Sequence, residues 1–342
     1  MKKFVFFMLF LASAAAALFA GGSRDKDQGP NGKITIYTSI YEDVIKSLDA
    51  ALKKQFPDCA IEFVYGGTGQ VQAKVAAEQS SGKLGCDILL VAEPSYSLEL
   101  KEKGILHRFI SKEAENLAFD YDKEGYWYPV RVSNMVLAYN PVKNNKNSVP
   151  NSFYDFANNA SASGAVSMSN PLTSGTSMAA ITALSDKYGY DYFDALGRQK
   201  VTIESGAIAL SKLESGEYKV IMVLEESVLK KRQEESSKLE VIYPGDGTII
   251  IPSTIMLIAG KWSANNNTKT AEIIADWFLS NDGQKAIISG WMHSVRKNFS
   301  AIPYDSIPTG EILANSMPLN WENNLLLKEE IQIKFEDFVT NR

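Results

Sequence analysis

The side chains best suited to chemistry are hydroxyls, glycines and a few charges set in turns, rather than a nucleophile beside a base. Ser169, Asn170, Ser174, Gly175 and Thr176 fall in one run, Ser169-Asn170-Pro171-Leu172-Thr173-Ser174-Gly175-Thr176-Ser177, which opens a helical stretch. A helix start leaves N–H groups without intrahelical acceptors, and the helix dipole favours negative charge there. The run is therefore suited to cradling an anion, although an ordinary Ser/Thr N-cap uses the same residue types. Three further turns, at 38–40, 66–68 and 92–94, present Ser39, Gly67, Thr68 and Glu93. The Gly66-Gly67 pair lets backbone approach closely. Glu93 reads either as an acceptor for a ligand hydroxyl or as part of a plain turn before Pro94. Arg131, beside Ser133 and Asn134, offers a forked donor for a phosphate, or else a surface ion pair. Glu225 and Glu226 read as hydroxyl acceptors or as acidic residues at a helix start. Only one side of a strand end can face a cleft, so at most one of them is expected to touch a ligand. Tyr126, Trp127 and Tyr128 could stack on a ring, but such clusters more often pack cores or hinges.

Composition limits the alternatives. The chain has two histidines, His107 and His293, and two cysteines, Cys59 and Cys86. A His-based metal or catalytic cluster is close to excluded. The cysteines suit a disulfide in an oxidising compartment, but their separation is not readable from sequence. A hydrolase with its nucleophile in the Ser174-Gly175-Thr176 turn is the rival from another class. It lacks a Gly-x-Ser-x-Gly elbow and an evident partner histidine. An exported adhesin is a third class.

Lys2 and Lys3, then an apolar stretch from 4 to 20 with alanines toward its end, form the pattern of a cleavable signal peptide. Cleavage is expected after Ala17 or Ala20. Leu18-Phe19-Ala20-Gly21 resembles a lipoprotein box, yet positions 21 and 22 are glycines, so no lipid anchor is expected. Residues 21–32 read as a polar tether. Once Lys2 and Lys3 leave, 33 Lys+Arg stand against 40 Asp+Glu, a net charge near −7. Such a surface argues against nucleic acid and draws no anion from a distance, so any anion must be caught by local geometry.

The elements that would position these residues alternate. Strands are expected at 33–38, 60–65 and 86–91, with helices at 42–56 and 70–79 between them. A long strand at 128–139 crosses onward. The rhythm then repeats with strands at 164–168, 201–204 and 219–224 and helices at 176–188 and 207–214. Residues 252–259 form a return crossing, followed by helices at 270–278, 284–289 and 325–338. This order predicts α/β architecture with parallel sheets wrapped by helices, and polar turns beyond the strand ends form the ligand position. About 310 residues after the leader suggest two lobes.

Taken in order, the Gly66-Gly67-Thr68-Gly69 turn, the Cys86-Asp87-Ile88-Leu89-Leu90 strand, the Ser174-Gly175-Thr176 helix start and Leu213-Glu214-Ser215-Gly216-Glu217 before a buried strand resemble bacterial ABC-transporter solute-binding proteins of the ferric-iron-binding type. That branch also includes binders of phosphonates and hexose phosphates. Ala275-Asp276-Trp277-Phe278-Leu279-Ser280 with Gly283-Gln284, and then Ser294-Val295-Arg296, extend the likeness over residues 33–340. The resemblance implies the two-lobe periplasmic-binding-protein fold of type II, each lobe a mostly parallel sheet flanked by helices and joined by crossing strands. It implies lobe 1 at 33–130 plus 252–300 and lobe 2 at 131–251 plus 301–342, closing over a solute. It further implies a monomer in the periplasm, a membrane permease and ATPase as partners, no catalysis and no cofactor. Thr248 joins the expected contacts on this ground. The family's adjacent metal-binding tyrosines are absent, for Leu224-Glu225-Glu226-Ser227 stands in their place. A small phosphorylated or phosphonate solute, hexose phosphate first, is therefore expected. Fe³⁺ as transported ligand, held by Glu225, Glu226 and Tyr41, is the alternative.

Overall fold

The computed structural model describes residues 30–341; the expected leader and most of the tether lie outside them. The alternation begins with β1 (Gly32–Thr38), α1 (Glu42–Gln55), β2 (Cys59–Tyr65), α2 (Thr68–Ser80), β3 (Ile88–Ala92) and α3 (Ser95–Glu102). On α1, Val44, Leu48 and Leu52 recur one turn apart and are buried, the spacing that lays one helix face on a sheet. The long strand β4 (Trp127–Tyr139) then leads into α4 (Phe153–Asn158), β5 (Val166–Met168), α5 (Gly175–Tyr188), α6 (Asp191–Arg198), β6 (Thr202–Ile203), α7 (Gly206–Ser215) and β7 (Val220–Leu224). After α8 (Glu225–Glu235) and β8 (Glu240–Ile242), β9 (Ile249–Leu257) returns; α9 (Thr268–Leu279), α10 (Asn281–Ser289), α11 (Thr309–Ala314) and α12 (Trp321–Phe335) complete the chain.

β1 pairs in parallel with β2 and β3, and β5 pairs in parallel with β6 and β7. Between the two groups run β4 and β9, antiparallel to each other; β9 pairs outward with β3 and β4 with β7. The sheet order is β2-β1-β3-β9-β4-β7-β5-β6, with β8 on β4. The two crossing strands thus join two parallel-stranded halves, the type II two-lobe arrangement. Each half has its own apolar core. Ile34, Ile36, Leu48, Leu52 and Phe278 belong to one, and Phe153, Phe156, Ile181, Phe193 and Phe335 to the other. Full burial of such a side chain contributes about 1.5–3 kcal/mol.

Three findings refine the sequence reading. Cys59 and Cys86 are free thiols in separate apolar clusters. The last helix begins at Trp321, not 325, because Asn320 caps it, its Oδ1 accepting from Glu322 N and Asn323 N. Helices α3, α6, α8 and α11 were not among the expected ones; α6 nonetheless carries one buried apolar face of Tyr192, Phe193, Ala195 and Leu196. Among the described residues no helix is long and apolar enough to cross a membrane.

Candidate functional site

The carboxyl ends of the parallel strands collect most of the expected residues. Ser39 directly follows β1, Gly67 lies two residues beyond β2, Glu93 follows β3, Ser169 follows β5 and Glu225 follows β7. β3, β5 and β7 are short and buried throughout, whereas β2 is an edge strand with Val64 and Tyr65 exposed. In each case the polar successor emerges at the sheet's rim, where open α/β sheets hold ligands. Ser39 Oγ accepts from Ala92 N at 3.1 Å and so ties two of these turns together.

Two helix starts meet across the seam between the halves. Thr68 begins α2 and Gly175 begins α5; a Cβ on Gly175 would lie 2.8 Å from Thr68 Cβ and Cγ2. Gly69 N donates to Thr173 O at 3.3 Å. Ser174 caps α5, accepting from Ser177 N at 3.2 Å, and its Oγ lies 3.0 Å from Thr176 Oγ1. Asn170 shapes the preceding turn, with Oδ1 accepting from Leu172 N. Ser169 lies farther along the rim, 3.8 Å from a Cβ built on Gly206 at the start of α7. The structure therefore brings Gly67, Thr68, Ser174, Gly175 and Thr176 into one place, two dipole-positive ends side by side. With the halves in contact here, the seam is shut. Two surface hollows of about 460 and 480 Å³ lie away from this contact, at Tyr243–Thr248 with α11 and at Arg232 with Tyr304.

Arg131 occupies the floor on β4, directly opposite Ser253 on β9. Its Nη1 lies 3.7 Å from Glu226 Oε1, and both side chains are almost wholly buried. Ser133 Oγ donates to the same carboxylate oxygen at 2.8 Å. Burial lowers the Arg131 pKa, against the attraction of Glu226. Burial likewise raises Glu226, although Arg131 and Ser133 favour its charge. Arg131 Nε and Ser253 Oγ are both buried without a hydrogen-bond partner. Tyr41 reaches this spot from the start of α1: its side chain is 40 % exposed overall, yet its hydroxyl end is enclosed. Burial and the nearby Glu226 push this phenol up to about 12, while a hydrogen bond with Ser227 opposes them.

The two adjacent glutamates part company. Glu225 turns toward Asn134 Nδ2 (3.0 Å), Tyr243 OH (2.6 Å), Ser306 Oγ (2.5 Å) and His293 Nε2 (3.1 Å). Burial raises its pKa, but the hydrogen bonds of His293, Ser306 and Tyr243 outweigh that and hold the carboxyl below its usual range. Ser306, His293 and Glu225 form a serine–histidine–acid group without the geometry of a catalytic relay. Ser306 and Glu225 approach the same ring nitrogen, Nε2, while Nδ1 faces Thr309 Oγ1 at 3.0 Å. A relay needs its acid on the opposite nitrogen from the nucleophile. Among the described residues no three His, Cys, Asp or Glu side chains gather as a metal cage.

Thr248 stands apart, pairing its backbone with Asn315 and Met317 beside the hollow of Tyr243. Glu93 is fully buried, with a left-handed backbone at φ 80°. Its Oε1 accepts from Asn324 Nδ2 at 3.2 Å, and its Oε2 has no hydrogen bond, with Lys328 Nζ 3.9 Å away. Sequence reasoning missed Ser253, Asn324 and Lys328. The signal for Ser253 was present, a Ser-Thr pair inside the otherwise apolar run 249–258. Nothing in the sequence pointed from the last helix to Glu93.

The fold is that of type II periplasmic binding proteins. The family model described as bacterial extracellular solute-binding protein matches residues 47–298, and the chain belongs to that family. It is 21 % identical over 292 residues to the probable ABC transporter periplasmic-binding protein y4fP of Sinorhizobium fredii, covering 80 % of this chain and 79 % of that protein. Iron-bound HitA from Pseudomonas aeruginosa superposes with a TM-score of 0.77 at 20 % identity, over 90 % of this chain and 99 % of HitA. AfuA from Actinobacillus pleuropneumoniae, with fructose 6-phosphate bound, gives 0.76 at 19 % identity over the same shares. These are the kinds of proteins the sequence resemblance indicated, and one fold accommodates both ligands.

Proposed function

We propose that the chain is the periplasmic solute-binding component of an ABC importer, working as a monomer with a membrane permease and ATPase and without catalysis of its own. In this reading residues 33–130 plus 252–300 close against 131–251 plus 301–342 over a small phosphorylated or phosphonate solute, hexose phosphate first. The observation that carries the ligand class is the meeting of the α2 and α5 starts, with Ser174 and Thr176 hydroxyls beside them. A phosphoryl group accepts from such donors through its oxygens. Arg131 Nε and Ser253 Oγ are unpartnered donors for a polar solute, since a buried group left unpaired costs about 1–3 kcal/mol. Glu226 and Glu93 supply acceptors for sugar hydroxyls, and Ser39, Ser169 and Asn170 complete the rim. Glu225, spent on four partners, serves as a support in this reading.

Tyr41 beside Glu226 favours Fe³⁺ as a second reading, because hard cations take phenolate and carboxylate oxygen. Against it stand a phenol pushed up to about 12 and the engagement of Glu225 elsewhere. Calorimetric titration of the mature chain with fructose 6-phosphate, inorganic phosphate and ferric ion separates the two. Sugar phosphate is expected to bind, and the Ser174→Ala/Thr176→Ala chain to bind it about tenfold or more weakly. Unchanged affinity in that variant overturns the site. Stoichiometric iron without sugar phosphate overturns the ligand class, and release of inorganic phosphate above background overturns the binding-only reading.

A further inference from the structure

The C-terminal helix spans the seam. α12 is rooted in the second core, where Ile331 and Phe335 are fully buried and the Phe335 ring meets Phe193 at 5.6 Å. Thr182 of α5 donates to Asn324 Oδ1 at 3.0 Å on the same side. The other end of the Asn324 amide crosses over, Nδ2 donating to Glu93 at the end of β3. One turn on, Lys328 Nζ donates to Gln72 Oε1 on α2 at 3.3 Å. Asn324 is fully buried, so water cannot easily replace these bonds.

We propose that α12 is a clasp carried by one lobe and fastened on the other: Asn324 and Lys328 hold Glu93 and Gln72 in the closed arrangement, and opening requires both side chains to let go. The α2–α5 contact also bridges the halves, as do bonds to α8: His293 Nε2 lies 3.1 Å from Glu225, Trp291 Nε1 donates to Gln233 Oε1 at 2.7 Å, and Tyr41 hydrogen-bonds Ser227. The held residue is set under strain, because a non-glycine backbone at φ 80° costs on the order of 1 kcal/mol or more. Asn324 and Lys328 thereby act as positioning residues through Glu93.

The clasp carries a pH dependence of fixed sign. Burial pushes the Glu93 carboxyl up to about 7. Lys328 on α12 and the Ser95 backbone on α3 favour its ionised form, and Glu99 on α3 opposes it; they do not offset burial. Ser253 and Thr254 of β9 and Thr182 of α5 bring no charge. Opening returns water to the carboxyl and its pKa toward the ordinary carboxylate range. The covered form therefore holds the proton more tightly. Its advantage is fully present below the ordinary carboxylate range and is lost as the pH rises to about 7. Acid fastens the clasp and alkali loosens it.

The inference rests on the two-lobed reading but not on the ligand, so its test uses the mature chain without ligand. Spin labels on Glu102→Cys and Asn158→Cys, both exposed, report the separation of the lobes, since Cys59 and Cys86 are buried. Pulsed dipolar distances are taken at about pH 5 and about pH 8.5. Asn324→Ala and Lys328→Met are each expected to raise the open fraction about tenfold, with Thr182→Val doing the same from the opposite end should Asn324→Ala fold poorly. Glu93→Gln is expected to abolish the response to pH. A parent open at both pH values, variants whose distances match the parent, or a Glu93→Gln chain that still responds would each overturn the clasp. None of those outcomes touches the titrations of sugar phosphate.

Discussion

Arg131 and Glu226 stand 3.7 Å apart with side chains 3 % and 4 % exposed, and burial works against the charge on both. A pair in that position stabilises little in net terms, since desolvation offsets most of the attraction. Its value is positional, keeping a guanidinium aimed at the seam with Nε unpartnered. Removing one member strands the other. Arg131→Met is expected to lower unfolding stability by roughly 3–5 kcal/mol, and adding Glu226→Gln to restore most of it. Urea unfolding of the two single variants and the double variant closes the cycle. A coupling below about 0.5 kcal/mol would show the two charges to be independent. The sequence singled out both residues as candidates, but it could not tell which glutamate faces Arg131. That depends on how α8 leaves β7, which puts Glu225 and Glu226 on different neighbours.

Among elements, the start of α5 is the most exacting. Gly175 sits against Thr68, and Gly69 lies against the carbonyls of Leu172 and Thr173, 3.2 Å from where its Cβ would be. Glycines let two helix starts approach at backbone distance, which larger residues would prevent. Thr68 is buried and β-branched, so it has little room to yield to a methyl group at 2.8 Å. Gly175→Ala is expected to leave the unfolding midpoint nearly unchanged, because alanine is the better helix former. The same change is expected to weaken fructose 6-phosphate about tenfold or more by holding the lobes apart. Equal affinity in calorimetry would place closure elsewhere. The alternation of strands and helices, the two crossings and the Ser174 turn were legible because period and turn chemistry are local. The facing of α2 and α5 was not, since residues a hundred positions apart meet only through the register of β4 against β9.

On the scale of the whole molecule, two cores share one sheet. In the two-lobed reading a closing motion bends through β4, β9 and the segment around residue 300 that passes from one half to the other. The register of β4 against β9 shifts between Pro129 and Arg131, and Pro252 lies opposite Val132. A bulge and a proline at the same level leave fewer ladder hydrogen bonds to distort, which makes this the natural flexing point. The halves are joined instead by the α2–α5 contact, the α12 clasp and the bonds of Tyr41, Trp291 and His293 to α8. Solute binding therefore ought to act on the rim and spare the cores. At a ligand concentration a hundred times Kd, binding adds about 2.7 kcal/mol to stability. Amide hydrogen exchange with and without fructose 6-phosphate shows where that protection falls. Slowing is expected at 67–71, 173–178 and 321–328, with the strands of both cores unchanged under native conditions, since those open only with global unfolding. Protection spread evenly over both halves would mean that the solute stiffens the molecule without closing it. Protection at 67–71 and 173–178 alone would keep the anion cradle and remove α12 from the closing motion.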